Sequence, residues 1–168
     1  MSAITLALAK SELQQQSDSE DAYIQALIDG VEDWLESEWG VLLSLQSVSE
    51  DLFGGERALW PSKVPVASVT TVSLNGSTVA SGNYTLRGNA IVHDDEWDAD
   101  FYDVVYQAGF AAVPARVQSL ILSLLRRRYD ARGGPDSESA GGHDVSWQKL
   151  MDTDEVILLK DLAGGPPC

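Results

Sequence analysis

The chain has 168 residues, 44% of them hydrophobic, a formal net charge of −15 and a pI near 4.2. Its length fits one domain that buries roughly 70% of the surface of its unfolded chain. Its acidity excludes a protein that binds nucleic acid freely, since phosphate contacts need Lys and Arg, and no apolar run reaches the roughly 18 residues of a membrane span.

The start, Met1-Ser2-Ala3-Ile4-Thr5-Leu6, has no basic region of the kind that opens a signal peptide. The single cysteine, Cys168, cannot form an internal disulfide. Both features predict a cytosolic chain. Residues 4–16 read as a short helix opened by Thr5. Ser17-Asp18-Ser19-Glu20 then fits a capping box, with Ser17 as N-cap and Glu20 three residues on. Ile24, Leu27, Ile28, Val31, Trp34 and Leu35 follow at spacings of three and four, one face of a helix that stops at Gly40.

From Val41 the period changes. Residues 41–51 alternate loosely and predict a strand, Gly54-Gly55 a turn, and Arg57 to Trp60 a short returning strand. Val69 to Leu74 is β-branched and alternating, and Asn75-Gly76 after it is the strongest hairpin signal in the chain. Tyr84–Arg87, Gly88-Asn89 and Ala90–His93 predict a second hairpin, and Asp103–Ala108 a last strand. Short strands with frequent turns point to a small antiparallel sheet or barrel-like sandwich.

Pro114 occupies a favoured first helical position. Val117, Leu120, Ile121, Leu124, Leu125 and Tyr129 give this second long helix its apolar stripe, and Gly133-Gly134-Pro135 ends it. Residues 133–144 are rich in Gly, Ser and Asp, a loop composition. The tail regains apolar character at Trp147, Leu150 and Met151, then at Val156, Ile157, Leu158, Leu159 and Leu162. Such density needs a surface to bury it, on the chain's own body or on a partner.

Two amphipathic helices at opposite ends, neither able to bury its stripe alone, thus flank a β block. The expected fold is α+β: residues 1–40 and 113–132 form a helical body, and 41–112 an inserted antiparallel module. Residues 133–146 form a loop and 147–168 a partner-docking tail.

Charge is uneven. Asp18, Glu20, Asp21, Asp29, Glu32, Asp33, Glu36 and Glu38 crowd the first long helix, while Arg126, Arg127 and Arg128 sit together on the second. A solvated face explains the acids most simply. A more specific reading is a conduit wall along which DNA slides without sticking, because like charge prevents adhesion. Arginines near a helix C-terminus suit the helix dipole, worth about 0.3–1 kcal/mol each when exposed.

The order of these signals resembles head–tail connector (adaptor, or head-completion) proteins of long-tailed phages, in the version with a β insertion. Four stretches carry the likeness: the acidic cap and helix from Ser17 to Ile28; Leu59-Trp60-Pro61 through Pro65-Val66-Ala67-Ser68-Val69 to Val72; Asn83-Tyr84-Thr85-Leu86; and Val104-Val105-Tyr106-Gln107-Ala108-Gly109-Phe110 with Val113-Pro114. In the last, Phe110 replaces the family's usual Tyr. Together they span roughly residues 5–130, and their collinear order is what makes the match.

The resemblance implies a structural virion protein of the neck, assembled in the host cytoplasm. It would form a dodecameric ring under the portal that extends the DNA channel and docks neck, stopper or tail-completion proteins. Genomic DNA would pass through without sequence-specific binding. No cofactor, membrane contact or enzymatic activity is expected. The tail residues Trp147, Leu150, Met151, Val156, Ile157, Leu158, Leu159 and Leu162 become portal-binding candidates. Glu32, Asp33 and Glu36 of one copy, facing Arg126, Arg127 and Arg128 of the next, become candidates for the subunit interface.

One stretch offers another chemistry. His93-Asp94-Asp95-Glu96-Trp97-Asp98-Ala99-Asp100 holds four oxygen-ligand candidates for a metal, Asp94, Asp95, Asp98 and Asp100. An EF-hand loop needs glycine at position six and glutamate at twelve, and counting from Asp94 these are Ala99 and Val105. A solvated loop between strands is the simpler reading. His93 and His143 are isolated, and no phosphate loop or nucleophile elbow occurs. Trp34 and Trp39 could make an aromatic platform, but Trp34 lies on the helical stripe and reads as core. The alternatives are therefore a small acidic metal-dependent hydrolase centred on 93–100, and an acidic DNA-mimicking binding module.

Overall fold

The computed structural model describes residues 2–131 and 151–163. Thr5 caps α1 (Leu6–Glu12), its hydroxyl accepting from the Leu8 N–H. Ser17 caps a single 3₁₀ turn, Asp18–Glu20, through the N–H of Ser19, and α2 (Asp21–Trp39) follows with no side-chain cap of its own. The predicted capping box is thus displaced by one turn. The Glu20 carboxylate instead receives the Tyr129 hydroxyl. Gly40 ends α2 in the left-handed conformation, as its position predicts.

Among the described residues seven strands follow: β1 (Gln46–Phe53), β2 (Ala58–Leu59), β3 (Val66–Leu74), β4 (Ser77–Thr78), β5 (Tyr84–Arg87), β6 (Ala90–His93) and β7 (Phe101–Ala108). They make two antiparallel sheets, ordered β1-β7-β3-β4 and β2-β6-β5. Helices α3 (Ala115–Ala131) and α4 (Thr153–Ala163) complete the described chain. The fold is α+β.

Both predicted hairpins form, β3–β4 across Asn75-Gly76 and β5–β6 across Gly88-Asn89. Asn75 and Gly76 both take positive φ, as the favoured two-residue hairpin turn requires. Two predictions are corrected. The strand expected over 41–51 begins at Gln46, because residues 41–45 carry the chain from one core to the other: Val41 is buried among helices, Leu42 among strands. The strand expected to return beside β1 after Gly54-Gly55 does not pair with it. β2 pairs with β6 in the other sheet, and β1 takes β7 as its neighbour.

Apolar residues form two cores. Ile24, Leu27, Ile28, Val31 and Leu35 of α2 pack with Val117, Leu120, Ile121, Leu124 and Leu125 of α3, joined by Ala9 and by Leu159 and Leu162 of α4. The two distant helices bury each other, as their stripes predict. Between the sheets, Leu59 and Ile91 from one face Val72, Tyr102, Val104 and Tyr106 from the other. The outward residues of β1 and β7, among them Ser47, Ser49, Asp51 and Asp103, remain exposed.

Candidate functional site

Two of the four stretches that carry the family resemblance come together where the two cores meet. Val41 and Val64 form a parallel bridge, and the Leu42 N–H donates to the Val64 carbonyl at 2.8 Å. The Gly109 N–H reaches the Pro65 carbonyl, also at 2.8 Å. Gly109 has φ +103°, and a Cβ there would lie 2.1 Å from the Ser44 carbonyl oxygen. Only glycine fits so close a backbone crossing.

Beside that crossing lies a polar knot inside the β module. The Tyr106 hydroxyl donates to Glu50 Oε1 at 2.7 Å and accepts from the Lys63 N–H at 3.2 Å. Glu50 also accepts from the Ser62 N–H and hydroxyl. Burial, reinforced by the bond to Glu50, pushes the Tyr106 phenol well above its ordinary range. The knot ties β1 and β7 to the segment entering β3. Sequence reasoning missed it, although a carboxylate on the inward phase of β1, between Val48 and Leu52, was the available signal.

The portal candidates divide by position. Trp147 and Leu150 lie outside the described residues, as do His143, Cys168 and the predicted stop at Gly133-Gly134-Pro135. Leu159 and Leu162 are buried in the chain's own helical core, Met151, Val156 and Leu158 are half-buried, and Ile157 is 51% exposed. Polar contacts hold α4 in place. Arg127 donates to both oxygens of Glu155, at 2.8 and 3.1 Å, and to Asp152. Ser123 adds a bond to Glu155, and the Asn89 amide donates to the Leu162 carbonyl at 2.7 Å.

Several of the candidate interface charges have partners within the chain. Arg126 meets Glu12 at 3.3 Å, and Arg127 is engaged with α4. Glu32 accepts from the Ser2 hydroxyl and the Ala3 N–H, fastening the N-terminal segment to α2. Asp33 and Glu36 are exposed along a cleft that α2 forms with residues 41–46, and Asp29 lines it too.

In the acidic loop the decisive residue is Trp97. Its indole is buried between Tyr84 and Tyr102, and its N–H donates to the Ile91 carbonyl at 3.1 Å. Arg57 ties down the His93 and Asp94 carbonyls. Asp94, Asp95 and Asp98 point to solvent, while Asp100 accepts from the Phe101 N–H. Among the described residues no three His, Cys, Asp or Glu side chains are grouped to hold a metal ion. Trp34 and Trp39 pack against the helical core and each other, with ring centroids 6.4 Å apart.

No known family model matches the chain, and no curated protein does. Solved structures do. A chain from the neck of an empty gene transfer agent particle, computed with C6 symmetry, matches with a TM-score of 0.58 at 17% identity, over 88% of this chain and 87% of that one. Its fold is shared. A chain in the virion of the native particle matches equally well at 16% identity over the same shares. One from the native neck computed with C12 symmetry has a TM-score of 0.51 at 18% identity, covering 88% of this chain and 86% of its own. At such identities the likeness is one of fold, and it runs through both cores rather than one.

Proposed function

We propose that this protein is a structural head–tail adaptor: a virion subunit that forms a ring, dodecameric by the family's pattern, between a portal and the neck or tail proteins. The observation that carries this reading is the fold shared with particle-neck chains over nearly nine-tenths of the sequence. The ordered motifs support it, since they build the junction that holds a β module against a helical body. A neck subunit works by geometry. Its task is to keep the genome's exit path continuous and offer docking faces at each end.

In this reading the tail meets the portal through Ile157, the half-buried Met151, Val156 and Leu158, and Trp147 and Leu150. The exposed carboxylates, Asp33 and Glu36 among them, suit a channel that DNA crosses without adhering. They equally suit a contact with the arginines of the next copy. Assembly takes place in the host cytoplasm before the particle is complete.

Negative-stain microscopy of the full chain, alone and mixed with a portal protein from the same genome, tests the reading. Rings, formed freely or on the portal, are the expected result. A chain that stays monomeric and does not co-sediment with the portal would refute it.

A further inference from the structure

Sheet edges offer unpaired backbone N–H and C=O groups, and proteins blunt them with bulges, prolines, lysines or short strands. Among the described residues every sheet edge but one is blunted. β2 and β4 have two residues each and β5 has four. β3 carries two register shifts against β7, and its Val66 N–H is taken by the Asn89 side chain. β1 is different. Its eight residues, Gln-Ser-Val-Ser-Glu-Asp-Leu-Phe, pair with β7 in unbroken register and contain no Pro, Gly or Lys. As the terminal strand of its sheet, β1 makes no backbone bond beyond β7 among the described residues.

A second observation lies beside that edge. Where β1 ends, a cleft of about 480 Å³ opens between the two sheets, lined by Leu52, Phe53, Ala58 and Trp60. The Phe53 ring is 59% exposed and packs edge-on against the equally open Phe101, centroids 5.1 Å apart. Asp51, Asp103 and Glu56 are exposed around it, while the nearby Arg57 is held by the His93 and Asp94 carbonyls.

We infer that β1 is a docking edge for an extended segment of another protein, one that alternates apolar residues with Lys or Arg. A strand added there directs alternate side chains to opposite faces. One set enters the apolar cleft, and the other lies on the open sheet face across from Asp51. An acidic segment is disfavoured by like charge directly opposite. A second copy fits poorly. Pairing of β1 with β1 is two-fold and closes a dimer, whereas a ring needs two different faces per contact; this exclusion rests on the ring reading. The bulged edge of β3 offers no continuous mate.

The test is amide hydrogen exchange by NMR on the full chain, at about 0.15 M salt to damp nonspecific attraction. The probe is a synthetic ten-residue peptide of alternating Val and Lys. Controls are the same residues in two blocks, and the alternating peptide N-methylated at every amide. Binding of the alternating peptide is expected to slow exchange at alternate β1 amides by about tenfold or more. Neither control should do so, and Asp51→Asn should weaken the effect. Trp60→Ala should weaken it too, and the N-methylated control holds even if that variant folds poorly. Unchanged β1 exchange, or equal protection by the block peptide, overturns the proposal. So does a free chain that sediments as a dimer with β1 already protected. Ring formation is read separately by microscopy, so either result can fail without the other.

Discussion

At the scale of single residues, Tyr106 explains why a tyrosine stands in the Val-x-Tyr-x-Ala-Gly stretch. Its ring fills the sheet core, and its hydroxyl spans Glu50 and the Lys63 N–H. Tyr106→Phe keeps the ring but strips both groups of that partner, which costs about 1–3 kcal/mol for buried polar atoms. Urea midpoints at neutral pH should show the loss. The pH dependence has a definite sign. Unfolded phenols ionise near about pH 10, and the fold raises the Tyr106 value above that, chiefly by burial and then by its bond to Glu50. Folding therefore favours the protonated phenol. Its contribution is complete below about pH 10 and is lost as pH climbs further. The stability gap between wild type and Tyr106→Phe should narrow from that point. Tyr84 and Tyr102 are also shifted upward by burial, but both remain in the variant and cancel in the difference. A gap that stays constant at alkaline pH would show that the hydroxyl is not the titrating group.

Among the elements, legibility followed locality. The β3–β4 hairpin was plain in the sequence because Asn75-Gly76 dictates a two-residue turn by itself, and α2 was plain because its stripe repeats at helical spacing. The partner of β2 was not, since Gly54-Gly55 marks a change of direction without saying which sheet the chain joins next. The 3₁₀ turn was hidden for a similar reason: Ser17 caps either helix type, and the choice depends on Glu20 reaching Tyr129, 109 residues away. Helix α4 shows the same limit. Its apolar density was visible, but which of its faces this chain's own body covers was not. Leu159 and Leu162 go inward, held by the Arg127–Glu155 fork, with the Glu155 side chain only 12% exposed. Glu155→Gln leaves Arg127 one oxygen and removes the charge. The expected cost is about 1–2 kcal/mol, toward the low end because the arginine side is partly solvated. Hydrogen exchange followed by mass spectrometry should quicken in 153–163 while α2 keeps its wild-type protection. Equal acceleration in both would mean that α4 opens only with the whole body.

Across the whole molecule, the resemblance read in the sequence turns out to describe a joint. Leu59 to Val66 and Tyr106 to Pro114 are where two cores touch; such motifs answer to packing within one chain, which is why they were recognisable while any partner-facing surface was not. Interface residues answer to a partner's shape, which one chain's periodicity does not record. Charge is the property that reaches furthest beyond a single copy. Each chain contributes −15, and ion pairs on its surface, such as Lys10 with Asp18 and Asp21, are solvent-screened and offset little of it. Bringing such chains together at low ionic strength sets like charges within the screening length, about 30 Å at 0.01 M but only about 8 Å at 0.15 M. Repulsion summed over whole copies then outweighs a few cross-copy arginine pairs, most of which already have partners at home. Self-association should therefore strengthen as NaCl rises from about 0.02 to about 0.5 M, seen in sedimentation velocity as a growing fast-moving boundary. If association weakens instead, Asp33 and Glu36 meeting Arg126 to Arg128 of the neighbouring copy must dominate the interface. Replacing the three arginines with Ser should then reverse the trend, because the repulsion between the copies remains.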